Sequence, residues 1–181
     1  LGAVICLLLG IASADSSNPP LLNPLAPDLV YYDAVRDFST VNNPTENGWK
    51  YGWSEDLTGA FVLYIRSSMP GINNGLEIGW DDPSNSNGFT PSVAINSGPD
   101  FDDGNVTFSA GALIQHPCGI DGHAVSHVIW TAPQKGNYFV TCNFIAQQYN
   151  VSVDVHVLVR GVSVFDSTVT HIDQYRNFTG V

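Results

Sequence analysis

The chain is poor in positive charge: six Lys and Arg stand against 17 Asp and Glu in 181 residues, for a formal net charge of -11. A phosphate backbone rewards clusters of Lys and Arg, so nucleic acid is excluded as a partner, and a neutral or cationic one is expected. Charged residues of either sign make up only 13%, and no stretch of useful length repeats at a helical period. With 17 Gly and 11 Pro this excludes a helical bundle. After the first 13 residues no run is long and apolar enough for a membrane span. Cysteine is scarce, at three residues.

What is present begins with LGAVICLLLGIASADSS, an apolar run ending in the small-x-small site Ala12-Ser13-Ala14. It reads as a secretory signal over 1–14 with cleavage after Ala14, too short to span a bilayer comfortably. The run has no preceding Met or basic region, so the chain is expected to begin partway into its signal. Removal takes Cys6 and leaves Cys118 and Cys142, a pair expected to form a disulfide in an oxidising compartment; two buried thiols are the alternative. Secretion also gives meaning to the N-glycosylation sequons at Asn105, Asn150 and Asn177. A Pro-rich leader over 15–30, with four prolines between Ser16 and Pro27, precedes the domain at 31–181.

From Tyr31 onward, short β-type runs alternate with Gly, Pro, Asn and Asp clusters. In VSVDVHVLVRG the residues Val151, Val153, Val155, Val157 and Val159 fall on one face, the pattern of a half-buried antiparallel strand. In GNYFVTCNFIA both faces are substantially apolar, which predicts a central strand. Gly161-Val162 leads into SVFDSTV as the return strand of a hairpin. The expected fold is all-β: an antiparallel β-sandwich of jelly-roll type. The sequence stops at Phe178-Thr179-Gly180-Val181 as a strand begins, so the domain is expected to be a fragment lacking its last strands.

Four motifs in order, DFSTVNNPTENGWKYGW, HPCGIDGH, WTAPQKGNYFV and DVHVLVRGVSVFD, resemble a domain of secreted, mostly bacterial proteins with the pattern DFS..NPNG.W.YG, LHPG, RWTAP..G.Y and DVHVLVNG. The likeness runs from about Asp37 to Asp166. Asp37, Phe38, Ser39, Asn43, Pro44, Trp49, Tyr51 and Gly52 match the first motif, with one additional residue between Pro44 and Trp49. His116 and Pro117 match the second, with Cys118 in place of Gly. Trp130, Thr131, Ala132, Pro133, Gly136 and Tyr138 match the third, with Ile129 in place of Arg. Asp154, Val155, His156, Val157 and Gly161 match the fourth, with Arg160 in place of Asn. The resemblance implies a jelly-roll sandwich found beside carbohydrate-active or adhesive modules, with no enzymatic activity attached. The Pro-x-x-Gly-x-Tyr-Phe segment is also similar to that of the C1q and tumour-necrosis-factor-like jelly rolls, which implies trimers.

Several side-chain groups are candidates for function. Trp49, Tyr51 and Trp53 share one face of an extended segment and offer either a sugar-stacking platform or a core, with Trp53 the ring expected to be exposed. Asp154 and His156, with His116 from a neighbouring strand, would make a carboxylate-oriented base or a structural polar cluster. His116, Cys118, His123 and His127 invite a zinc reading, which the extended spacing of His123 and His127 disfavours. Asp100, Asp102, Asp103 and Asn105 form an oxygen-rich turn that would suit a structural calcium; otherwise no cofactor is implied. The function expected is a secreted, extracellular, non-enzymatic binding or adhesive module, carbohydrate-binding-like, whose partner is a glycan or an extracellular protein. The alternatives are an oligomeric C1q-like interaction domain and an enzyme built on the Asp/His cluster.

Overall fold

A computed structural model of the protein describes residues 4–6, 9–13, 30–67, 77–82, 91–102, 104–117, 124–172 and 174–180. Apart from Val30, the Pro-rich leader lies outside them. The described residues contain strands and turns and no helix. The strands are β1 (Val4–Cys6), β2 (Leu9–Ser13), β3 (Val30–Asp33), β4 (Trp49–Ser54) and β5 (Val62–Leu63). There follow β6 (Glu77–Asp81), β7 (Ser92–Asn96), β8 (Phe101–Asp102), β9 (Thr107–Phe108) and β10 (Leu113–His116). The last five are β11 (Val125–Trp130), β12 (Asn137–Ala146), β13 (Val153–Val159), β14 (Val162–Val169) and β15 (Tyr175–Gly180).

The largest sheet runs β3-β2-β12-β1-β10-β7-β6, with β15 on the second edge of β12. A three-stranded sheet β11-β4-β5 and the hairpin β13-β14 stand apart from it in hydrogen bonding, and all these strand pairs are antiparallel. Two apolar clusters join the layers. Trp49, Tyr51 and Tyr64 of the smaller sheet and its flank pack with Trp80, Val93 and Leu113 of the large one. Cys142, Phe144 and Ala146 of β12 pack with Val155 and Val169 of the hairpin. Sheet faces of this kind are stable only when covered by another layer, and the architecture is that of an antiparallel β-sandwich.

The strand patterns explain the placement. On β13, Val155 is buried and Val153 and Val157, with Val151 just before the strand, lie against the same cluster, while Val159 emerges into solvent where the hairpin turns. Arg160 and Gly161 form that two-residue turn with φ of 53° and 78°, matching the twist of the two strands. On β12, Cys142, Phe144 and Ala146 give the buried face. With β1 and β2 along one edge and β15 along the other, β12 is a central strand.

The segment expected to be a signal supplies β1 and β2. Residues 4–6 pair with β10 and β12, and residues 9–13 pair with β12 and β3.

Candidate functional site

The first and third sequence motifs meet across the β4–β11 ladder, where Trp49 is opposite Trp130. Gly48, at φ 82°, precedes Trp49, and a Cβ there would press on the Thr131 carbonyl. Only glycine accepts both constraints. Thr131 N–H donates to the Gly48 carbonyl at 3.0 Å, and Trp130 Nε1 donates to the Asn47 carbonyl at 3.2 Å. Trp130 also packs on Tyr32 at 4.8 Å and Tyr138 at 5.0 Å between ring centroids, so one half-buried ring ties β3, β4 and β12 together.

The face shared by Trp49, Tyr51 and Trp53 is turned inward. Trp49 is 1% exposed and Tyr51 0%, while Trp53 is the least buried of the three. Phe38 lies 4.9 Å from Tyr51, and Asp37 accepts from Trp49 Nε1 at 3.4 Å. Two of the three rings therefore serve the core rather than a solvent-facing platform. Burial, with the negative charge of Asp37 added, pushes the Tyr51 phenol well above its ordinary range.

Asn43 fixes the segment that precedes this strand. Its Nδ2 donates to the carbonyls of Tyr51 at 2.8 Å and Tyr64 at 2.9 Å, and its Oδ1 accepts from Tyr51 N–H at 2.9 Å. One amide side chain thus bonds the backbone as a neighbouring strand residue would. Above it lies an open groove of about 490 Å³, lined by Val41, Asn42, Glu46, Leu63, Ile65 and Trp80 together with Asn43, Pro44, Thr45 and Tyr64. Val41 at 82% and Ile65 at 75% exposure make apolar lips, and the side chains of Asn42 and Glu46 are exposed beside them. Trp80 is held at the groove by donating Nε1 to the Ser39 carbonyl at 2.6 Å.

The polar groups singled out in the sequence have separate partners. His156 Nδ1 bonds Asp166 at 2.6 Å, and Asp154 accepts from Thr168 at 3.0 Å. Ser163 Oγ donates to the same Asp166 oxygen at 2.5 Å, and that bond, followed by His156, holds the Asp166 carboxyl below its usual range. Asp166 sits between a hydroxyl and an imidazole, which leaves Ser163 without a base. His116 belongs to the large sheet, where its Nδ1–H donates to the Pro117 carbonyl at 2.7 Å and burial pushes its pKa down. The hydrogen bonds give His116, Asp154 and His156 different partners, so the expected cluster does not come together through them.

Ser54 and His127 form a pair that the sequence did not suggest, because the two are 73 residues apart. Ser54 Oγ lies 2.6 Å from His127 Nε2 and also donates to the Asp56 carbonyl at 2.6 Å. With its one proton on that carbonyl, Ser54 accepts from His127, the reverse of an activated nucleophile. Burial pushes the His127 pKa down, and the Phe61 ring closes over it edge-on at 5.9 Å.

Asp102 accepts from Gly104 N–H and so caps its own turn, while Asp100 accepts from Ala110 N–H ten residues on, across the base of the β8–β9 hairpin, both at 2.7 Å. Asp103 lies outside the described residues, as do Cys118 and His123. Among the described residues there is no group of three or more His, Cys, Asp or Glu placed to hold a metal. Cys142 is a free, buried thiol facing Phe144, Val155 and Val169, and the structure therefore shows no disulfide at this residue. Asn105, Asn150 and Asn177 are all exposed. Tyr149 N–H donates to the Asn105 carbonyl, which brings the first two sequons to the same end of the sandwich.

The fold and this groove define the chain as an all-β, antiparallel sandwich protein with a shallow surface site. It matches no protein-family model, no curated protein and no solved structure.

Proposed function

We propose that this is a secreted, glycosylated, non-enzymatic binding module of jelly-roll type that takes a neutral saccharide in the groove beside Asn43. The observation that carries the reading is the groove itself, whose volume of about 490 Å³ falls in the range of small-ligand sites. Apolar lips at Val41 and Ile65 suit the C–H face of a sugar ring, and Asn42 and Glu46 offer amide and carboxylate partners for hydroxyls. The acidic surface and the four-motif resemblance point the same way.

The test is a glycan array probed with the whole chain, wild type beside Glu46→Gln, Ile65→Ala and Trp53→Ala. Binding lost in the first two and kept in the third locates the site in the groove. Binding lost only with Trp53→Ala returns it to the aromatic strand, and no binding by folded protein refutes the saccharide reading.

A second reading is an oligomeric, C1q-like interaction domain, favoured by the exposed Val159, Val162 and Val164 at the β13–β14 turn. A trimer in light scattering that dissociates with Val162→Asp would select it.

A further inference from the structure

Among the described residues three tyrosines are exposed: Tyr31, Tyr149 and Tyr175. A tyrosine at the surface offers a flat apolar face and a hydroxyl, the two features on which a sugar ring packs. Two of the three stand beside an N-glycosylation sequon.

Tyr149 faces Asn105 across a short ladder. Val106 bridges Gln148 antiparallel, Tyr149 N–H donates to the Asn105 carbonyl at 3.3 Å, and Thr107 N–H donates to the Gln147 carbonyl at 2.8 Å. These two bonds flank the bridge and set Asn105 opposite Tyr149, where facing side chains share one side with Cβ atoms roughly 5 Å apart. Asn105 is exposed, and Tyr149 is 43% exposed with the His171 ring nearly perpendicular to it at 5.7 Å. Tyr175 meets its sequon differently, along one strand. On β15, Tyr175, Asn177 and Thr179 point outward, while Phe178 packs on the cluster of Cys142 and Phe144. Residues two apart on a strand share a face at roughly 7 Å, and Tyr175 is 53% exposed. One pairing is made across a ladder and the other along a strand, yet both put an exposed ring beside the acceptor amide.

We propose that the chain's own N-linked glycans at Asn105 and Asn177 lie against the protein, the first N-acetylglucosamine of each packed on Tyr149 and Tyr175 respectively. The inference rests on the secreted, glycosylated part of the reading above. Attachment joins Asn Nδ2 to the anomeric carbon of an oligosaccharide carried on a polyprenyl pyrophosphate. The C–O bond to the pyrophosphate breaks, the lipid pyrophosphate leaves, and Nδ2 gives up one proton. The pyranose then begins one bond beyond the amide nitrogen, at about the height above the backbone of a tyrosine ring, so its C–H face meets the aromatic face side by side. Tyr31 differs: neither β3 nor β2, its partner, carries a sequon, and β2 and β12 separate it from β15. Asn150 follows Tyr149 in a turn at φ 54°, beyond the ladder, and its glycan is assigned no ring.

The full chain is secreted from eukaryotic cells and its glycopeptides are identified by mass spectrometry. Unmodified Asn105 and Asn177 in the secreted protein would overturn the inference together with the glycosylated reading, while the groove keeps its own assay. With both modified, enzymatic removal of the glycans from the folded protein is expected to lower Tm by about 2–4 °C for each packed ring. It should also speed iodination of Tyr149 and Tyr175 several-fold and leave Tyr31 unchanged. Tyr149→Ala and Tyr175→Ala should each abolish its own share of the Tm difference. The readout is the difference between the two forms of one variant, so a variant that is less stable by itself still reports. Ser152→Ala, which cancels the Asn150 sequon, should leave Tyr149 protected; loss of that protection would overturn the assignment to Asn105. Glycans present at both asparagines whose removal changes neither Tm nor iodination would overturn the inference and leave the glycosylated reading standing.

Discussion

Replacing Asn43 by alanine tests whether one side chain substitutes for a strand. The substitution removes the bonds that Asn43 makes to Tyr51 N–H and to the Tyr64 carbonyl, while the Tyr51 carbonyl keeps its bond from Tyr64 N–H at 3.1 Å. Both tyrosines are buried, at 0% and 1% exposure, so water cannot easily take over. Leaving the buried Tyr51 N–H unpaired costs about 1–3 kcal/mol and losing one bond to the Tyr64 carbonyl about 0.5–1.5 kcal/mol, for a total of roughly 2–4 kcal/mol. In a chain of this length each kcal/mol moves the midpoint by about 2–4 °C, so Asn43→Ala should lower Tm by roughly 5–15 °C. Urea denaturation should show the same loss as a lower midpoint at unchanged slope. Asn43→Asp sharpens the test. It keeps the acceptor for Tyr51 N–H but sets carboxylate oxygen against two carbonyls, so it should be at least as damaging as alanine near neutral pH and recover as acid protonates it. A loss below about 0.5 kcal/mol for alanine, or an Asp variant equal to wild type at neutral pH, would refute the reasoning.

Other outcomes are equally specific. His116 and His127 are held below the ordinary 6.5 by burial, so the unfolded chain binds their protons first; their contribution is full above about 6.5 and is lost as pH falls through the lower folded values. A pH series of denaturation midpoints that is flat from 7 to 5 would contradict this. Burial works against the Asp37 charge, but bonds from Arg36, the Asp33 backbone and Trp49 outweigh it and hold the carboxyl below 3.8, which adds a further loss of stability in stronger acid that Asp37→Asn should reduce. Gly52→Ala would place a methyl against the Val62 carbonyl and the Phe61 ring and should cost about 1–3 kcal/mol, with Phe61→Ala restoring only part because the carbonyl remains. Cys142 should react with maleimide only after unfolding; a thiol that appears only after reduction would show instead that it is bonded to another cysteine.

The strands were legible because their signals are local. Val151 to Val159 at period two, the two apolar faces of GNYFVTCNFIA and the turn at Gly161 each specify their element without reference to distant residues. The site was legible only in part. Trp49, Tyr51 and Trp53 sharing a face follows from the pleat, but which layer covers that face depends on Trp80, Val93 and Leu113 from elsewhere in the chain. His156 shares a strand face with Asp154 yet bonds Asp166, because a cross-strand partner on the hairpin is nearer than a residue two positions along. Asn43 was visible as a motif residue, whereas its two-sided bonding requires the Tyr64 backbone 21 residues away. The Ser54–His127 pair and the apolar lips of the groove had no signature at all, since each is made by segments whose proximity only the fold provides.

The bridge between Arg66 and Asp81 has a practical consequence. Asp81 is fully buried and receives both Nε and a terminal nitrogen of the Arg66 guanidinium, while its N–H donates to the Arg66 carbonyl at 3.0 Å. The chain that departs after Arg66 and returns through β6 is thus closed at its base by the protein itself. A cut anywhere between Ser67 and Glu77 accordingly leaves two ends that Arg66 and Asp81 still hold together, and a chain nicked there should stay assembled.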